Sequence, residues 1–386
     1  MNYTKILLKH FASAKHLYKS ETLEKYIVNN LDENLKEHLL TIANYCYKRK
    51  AINTVLITLL VKKIKDSEQD IRFHQQGMDN GFSGRTIDTA YITPTLKNIE
   101  YMGIKRLFPY MKESGWLTRS LEQPVPYDLQ YPGKITPKLL KKSFLIIVDA
   151  IEEKNIDPGI VLTSLLGLIL EQMTRKAEAV KSIMETNTAT DKPHIDIIKK
   201  ALEAHFNYSY EIYAHGASRL PVLALEAVYC CFIKELEAYN GCSIITQRHT
   251  GPDKHTAGDI DIENNKGEKI ESVEVKLGIK ISLEILEDVK DKLNSHDDIK
   301  RYYILSTSGV DVNESIEIST NILNYYKTNS VEIIVNGVIP TIGYYLRLIK
   351  NPNSFINNYN ELISNDEDIK SEHLEYWKII QTKLLS

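Results

Sequence analysis

The stretch from Gly258 to Lys276 constrains this chain more than any other. Gly258-Asp259-Ile260-Asp261-Ile262-Glu263 alternates polar with β-branched residues, and so does Ser272-Val273-Glu274-Val275-Lys276. That period of two marks β-strands. Between them, Asn264-Asn265-Lys266-Gly267 has the Asn and Gly that a tight hairpin turn needs. In the first strand Asp259 and Asp261 point the same way. In the second Glu274 and Lys276 do, with Val273 and Val275 behind them. The hairpin therefore gathers two or three carboxylates and one amine on one face. Clustered carboxylates ionise together only at a cost, which a divalent cation offsets.

Carboxylate oxygens are the ligands Mg²⁺ prefers, and one or two of them with several waters make a usual site. Bound Mg²⁺ polarises a phosphate and supplies hydroxide, and a nearby lysine positions that water as a compact point charge. An Asp followed across a hairpin by Glu-x-Lys is thus suited to phosphodiester hydrolysis. The residues Gly258-Asp259 and Glu274-Val275-Lys276 resemble the motif of the PD-(D/E)XK nuclease superfamily, with Gly258 in place of the motif's Pro. The resemblance implies that Asp259 and Glu274 bind the metal and that Lys276 assists the attacking water. Asp261 competes with Asp259 as the principal ligand, and the slot after Gly258 favours Asp259. Pro252-Asp253 is a literal PD in a turn composition ahead of the strand, and is set aside. The competing description is a solvated edge hairpin with alternating charges.

The surrounding order supports the resemblance. A helix runs from Val222 to about Tyr239 and closes at Asn240-Gly241, followed by a short strand, Ile244 to Arg248. After the hairpin, Leu283, Ile285, Leu286, Val289 and Leu293 mark an amphipathic helix, and Tyr302 to Ser306 a strand. Helix, three strands, helix, strand is similar to the αβββαβ core of that superfamily, over about Val222 to Ser306. Glu226 sits mid-helix among apolar residues, where a carboxylate is costly unless paired. The resemblance implies an active-site role for it; a snorkelling, partly exposed Glu is the alternative. Gln247 and Arg248, ending the first strand, are placed to contact a phosphate. His249 and His255 have no second ligand at fixed spacing and read as surface histidines.

The N-terminal half is mostly helical. Leu23, Tyr26, Ile27 and Leu31, then Leu39, Ile42 and Cys46, then Leu56, Leu59, Leu60 and Ile64 recur at helical spacing. From 74 to 138 the period fails in a Gly- and amide-rich run. Its Tyr91, Tyr101, Phe108, Tyr110 and Trp116 argue against disorder. Long irregular segments are commonly functional, and forks and amides match base edges. Arg85 and Arg119 are the leading candidates for base contact, against a packed connecting segment. The phrases Ser83-Gly84-Arg85-Thr86-Ile87-Asp88-Thr89 and Glu113-Ser114-Gly115-Trp116-Leu117-Thr118-Arg119 resemble those of bacterial type II restriction enzymes, a SacI-like subfamily among them.

Composition narrows the classes. With 48 Lys and Arg against 51 Asp and Glu, the net charge is −3, so attraction to nucleic acid must come from local basic patches. Cys46, Cys230, Cys231 and Cys242 lack metal-ligand spacing and read as free thiols of a reducing cytoplasm. There is no signal-peptide pattern, no membrane-length apolar run and no P-loop.

The expected architecture is α/β (α+β). A helical region occupies 1–215 with a DNA-recognition segment at 74–138, and a nuclease domain with a mixed sheet occupies 216–386. The expected function is a cytoplasmic, Mg²⁺-dependent type II restriction endonuclease. It would cut both strands of unmethylated duplex DNA at a short sequence, as a homodimer, with a cognate methyltransferase protecting the host. The alternatives are a structure-specific or repair nuclease and a non-catalytic DNA-binding protein.

Overall fold

The structure, a computed structural model, describes residues 2–46, 49–100, 114–185, 193–210, 216–247, 256–296 and 298–385. The chain forms two compact units, Met1–Glu178 and Ala179–Ser386. Helices α1 (Tyr3–Lys19), α2 (Leu23–Asn30), α3 (Glu33–Asn44) and α4 (Lys50–Lys65) open the first. Asn2 and Asp32 cap α1 and α3 by accepting the amides of Lys5 and Leu35. Every residue of α4 from Ile52 to Lys62 is buried, so this helix is the unit's axis. Its polar side chains donate to nearby carbonyls. Thr54 and Thr58 donate to carbonyls one turn back, and Asn53 donates to the Ile42 carbonyl at 3.1 Å.

Where the helical period fails, buried aromatic residues take over. Short turns α5 (Gly84–Ile87) and α6 (Thr93–Lys97) are followed by fully buried Trp116, Tyr127 and Tyr131. His74 stacks on Tyr127 with ring centroids 3.8 Å apart. Asp88, with no solvent exposure, accepts from Thr93 Oγ1, Ser114 Oγ and the Gly115 amide, each at 2.7 Å. Gly115 lies so close to α4 that a Cβ there would meet the Ala51 carbonyl oxygen at 2.6 Å. Helices α7 (Lys138–Glu153) and α8 (Pro158–Glu185) follow.

The second unit is built on a five-stranded mixed sheet. Its strands are β1 (Ser243–Thr246), β2 (Ile260–Glu263), β3 (Lys269–Lys276), β4 (Arg301–Ser306) and β5 (Glu332–Gly337), in that spatial order. The β1–β2 and β2–β3 pairs are antiparallel; β3–β4 and β4–β5 are parallel. Asn264 closes the β2–β3 hairpin by accepting the amides of Lys266 and Glu268, with Gly267 at φ +79°. Helix α9 (Ile195–Asn207) shares a core with α10 (Arg219–Glu235) and one sheet face, through Ile198, Leu202, Leu225, Val228, Ile260, Val273 and Val275. By packing, α9 thus belongs with the sheet unit, which begins at Ala179 and not at the expected 216. On the other face α11 (Leu283–Leu293) and α12 (Ser315–Asn329) pack through Leu286, Val289, Leu293 and Ile318 onto Tyr302, Ile304 and Ile333. Helices α13 (Val338–Leu346), α14 (Pro352–Asn365) and α15 (Ser371–Ile380) complete the chain.

The fold class is mixed α/β, as the element order predicts. All four cysteines are free, and burial pushes the thiols of Cys230 and Cys231 up to about 11, so neither is a ready nucleophile. Among the described residues no helix is long and apolar enough to cross a membrane.

Two buried histidines tie stability to pH. Burial pushes His74 down to about 4 and His205 to about 3, from an ordinary 6.5. The Nε2–H of His205 donates to the His373 carbonyl at 3.0 Å, and its Nδ1 accepts from the Tyr359 hydroxyl at 2.9 Å. Both rings stay neutral when folded, whereas the unfolded chain protonates them near 6.5. Their contribution is therefore complete above that pH and is lost as pH falls toward their folded values. Each should remove up to ~1.4 kcal/mol per pH unit in that window. Urea midpoints measured from pH 7 to 5 should fall, and His205→Gln should flatten the slope for the sheet unit. An unchanged slope would show that His205 is not the titrating group.

Candidate active site

The site is assembled by strand register. Ser272 pairs with Asp261 on one side and Tyr302 on the other, and Glu274 and Lys276 follow at two-residue steps on β3. Residues directly opposite or two apart share a sheet face. Asp259, Asp261, Glu274, Lys276 and Tyr302 therefore lie on the α11 side, while Val273 and Val275 enter the core behind.

The two aspartates have different surroundings. Asp261 is fully buried, and its carboxylate is committed to the fold. It accepts from the Ala257 amide at 3.0 Å, the Gly258 amide at 3.1 Å and Ser272 Oγ at 2.8 Å, with Lys269 Nζ at 3.3 Å. Asp259 stands just before β2 and is only half-buried. Its Oδ2 accepts the Val275 amide at 2.8 Å, and its backbone carbonyl accepts the Gln247 amide at 2.9 Å. Burial, then the charge of Glu274, push the Asp259 carboxyl up; the Val275 amide and Lys276 and Lys292 pull against them.

Glu274 is the electrostatic centre. Its Oε1 accepts from Lys276 Nζ at 2.6 Å, and its Oε2 from Lys292 Nζ at 2.8 Å. Burial alone pushes this carboxyl up, but the two ammonium groups outweigh it and hold it below the usual range. The Tyr302 hydroxyl donates to the Ala257 carbonyl at 2.8 Å and lies 3.3 Å from Glu274 Oε2. One phenol thus ties the turn before β2 to the carboxylate on β3.

Lys292 and Tyr302 are not evident from the sequence. Lys292 comes from α11, whose apolar stripe of Leu286, Val289 and Leu293 packs on the sheet and carries the neighbouring Lys292 to its rim. Helical periodicity alone predicts that packed stripe, but not the strand it meets.

The other expected residues are scattered. Glu226 is half-buried on α10, where its charge raises the Cys230 thiol one turn on. The side-chain hydrogen bonds of Asp259, Glu274 and Lys276 are made without Glu226. Gln247 adjoins the site through its backbone, with its amide on the Asp259 carbonyl and its own carbonyl accepting from Arg219 at 2.8 Å. Arg248, His249, Asp253 and His255 lie outside the described residues. In the first unit Arg119 is exposed, and half-exposed Arg85 pairs with Glu122 at 2.5 Å. The glycines in the two phrases that carry these arginines serve the unit's own packing. Gly84 lies against the Trp116 ring, where a Cβ would meet it at 2.8 Å, and Gly115 lies against α4.

The donor set suits a hard divalent ion. Asp259, just before β2, and Glu274 on β3 are two oxygen donors that repel one another, and among the described residues no group of three or more His, Cys, Asp or Glu that could hold a metal ion forms. Two carboxylates completed by water match Mg²⁺ and do not match zinc's preference for His and Cys. Compared with known proteins, the chain matches no family model and no curated sequence.

The burial contrast separates the two aspartates by experiment. Asp261→Ala strands three donors and Lys269, and should cost ~3–5 kcal/mol. Asp259→Asn keeps the shape and removes the repulsion with Glu274, so its cost should stay near ~1 kcal/mol or less. Guanidinium melts followed by circular dichroism compare them. Equal losses would make Asp259 a structural residue too.

Proposed function

We propose that the chain is a Mg²⁺-dependent endonuclease of the PD-(D/E)XK kind, acting as a type II restriction enzyme on duplex DNA. The observation that carries this reading is the grouping of Asp259, Glu274 and Lys276 at one end of β3, with one oxygen of Asp259 bonded to the Val275 amide and, among the described residues, none to an ammonium group. The order α10, β1 to β3, α11, β4 supports it, since it is the order that superfamily's core would need.

In this mechanism Asp259 and Glu274 hold the metal, and Asp261 holds the turn that presents Asp259. The chemistry that a metal held there would supply is polarisation of the scissile phosphate and a more acidic attacking water. Lys276, a compact cation on the strand carrying Glu274, orients that water and balances charge developing on the phosphate oxygens. Water adds to phosphorus and the bridging P–O bond breaks, with the proton passing to the departing oxygen. Direct attack by water needs no covalent enzyme intermediate.

Catalytic groups touch the backbone, so sequence discrimination must come from other surfaces. Arg85 and Arg119 are our candidates for base contact. Both are solvent-accessible, and both project from a segment that Asp88, Trp116 and Tyr127 fix in place. Cutting both strands of a palindrome is served most simply by a homodimer. A methyltransferase of the same specificity would protect the host's own DNA, and the cytoplasm is the compartment where such a pair acts.

Digesting plasmid DNA of known sequence with Mg²⁺ and mapping the ends tests the reading. Cuts in both strands at one short sequence are expected, and Glu274→Ala or Lys276→Ala should slow cutting by ~10²–10⁴-fold while the protein stays folded. Near wild-type cutting by either variant would sink the assignment, and cuts placed by DNA structure would favour a repair nuclease. Arg85→Ala and Arg119→Ala should each lose ~1–3 kcal/mol of discrimination at a single base pair if the guanidinium reads guanine. Unaltered specificity in both would move recognition off this segment.

A further inference from the structure

Resting on the metal-dependent reading above, we propose that Lys292 is a cation held in the metal's place on Glu274, which passes to the substrate phosphate once the metal binds. Glu274 has two carboxylate oxygens, and each carries an ammonium group, Lys276 on one and Lys292 on the other. With Asp259 beside them, the group comprises two carboxylates and two lysines and is balanced in charge. A divalent ion joining Asp259 and Glu274 brings two further positive charges into a partly buried space. At least one ammonium must then leave Glu274.

Geometry selects Lys292. Lys276 lies on the same strand as Glu274, and its side chain is 27% exposed, whereas the Lys292 side chain is 43% exposed. The described bond that holds the Lys292 head inward is the one to Oε2. Its backbone is fixed, because Val289 and Leu293 on either side are buried against the sheet. Once released, the ammonium therefore stays at the rim of the site, on a long, flexible stem. A phosphate oxygen is the acceptor that replaces the lost carboxylate there. Lys292 would thus act twice, first as a competitor of the metal and then as a contact to the DNA backbone. The site would be neutral when empty and become a phosphate-binding site only when loaded.

These two roles predict effects of opposite sign. With the full-length protein and no DNA, Mn²⁺ binding is read from the paramagnetic resonance of the free ion. Lys292→Met removes the competitor and should tighten Mn²⁺ binding by ~10-fold, the effect of losing one charge-assisted bond. Lys292→Arg should restore wild-type affinity. In Ca²⁺, which should support duplex binding without cutting, wild type should gain duplex affinity over its metal-free value, and Lys292→Met should lose most of that gain. Without metal the two should bind duplex alike. A merely structural defect would weaken both ligands. If wild type binds Mn²⁺ through Glu274, so that Glu274→Gln abolishes binding, and Lys292→Met leaves the affinity unchanged or weaker, the exchange is overturned and the nuclease reading stands. If Glu274→Gln binds Mn²⁺ as wild type does, or neither binds it, the metal site itself is overturned and the exchange with it. Lys292→Gln serves as the second variant should the methionine impair folding.

Discussion

A carboxylate with no solvent exposure governs the sheet unit. Asp261 accepts two consecutive backbone amides and the hydroxyl of Ser272, and it faces Lys269. A buried charge is tolerated only when such donors surround it. The local turn, the β2–β3 pairing and the position of the preceding residue are therefore coupled. Asp259 owes its place to this neighbour. Its own side chain and carbonyl then link β3 to the end of β1.

From that arrangement the chemistry of Glu274 follows. The parallel pairing of β3 with β4 brings Tyr302 to the carboxylate, and the crossover helix α11 brings Lys292. Neither group belongs to the hairpin that carries the motif. The polar group lies on the α11 side, which also packs Ile304 and Ile333, whereas the opposite face is closed by apolar contacts with α10. Lys292 is exposed and Lys276 half-buried at this end of the sheet.

Local features were legible in the sequence, and those made by distant pairing were not. Alternation and the Asn-Gly turn are encoded within a few residues, so the β2–β3 hairpin could be drawn from the chain alone. The same alternation puts Asp259 and Asp261 on one face and cannot distinguish them. Depth does, because Asp261 lies opposite Ser272 inside the sheet and Asp259 stands at its margin. Lys292 and Tyr302 were missed because they join the site through the β3–β4 register and α11 packing, which no short pattern specifies. The segment after His74 gave no period because its order comes from scattered anchors, the Asp88 carboxylate and the His74–Tyr127 stack. Helices α14 and α15 went unremarked, although Tyr359 and Trp377 are buried there around His205.

The β2–β3 register shifts between Ile262 and Glu263, at the turn end of the hairpin. Such a bulge absorbs an extra residue without turning the strands over. Beyond it, Ile260 opposite Val273 and Asp261 opposite Ser272 keep strict two-residue alternation. Lys269, where the tip rejoins β3, still reaches back to Asp261, so the two ends of the hairpin are joined through one ion pair. Asn264 and Gly267 are held by the turn itself, so a change of tip sequence acts on the charged end through Lys269 and not through the register of Asp261 and Ser272. The tip thus reports on the site through one cation, and its length and its charge are separable influences on Asp261.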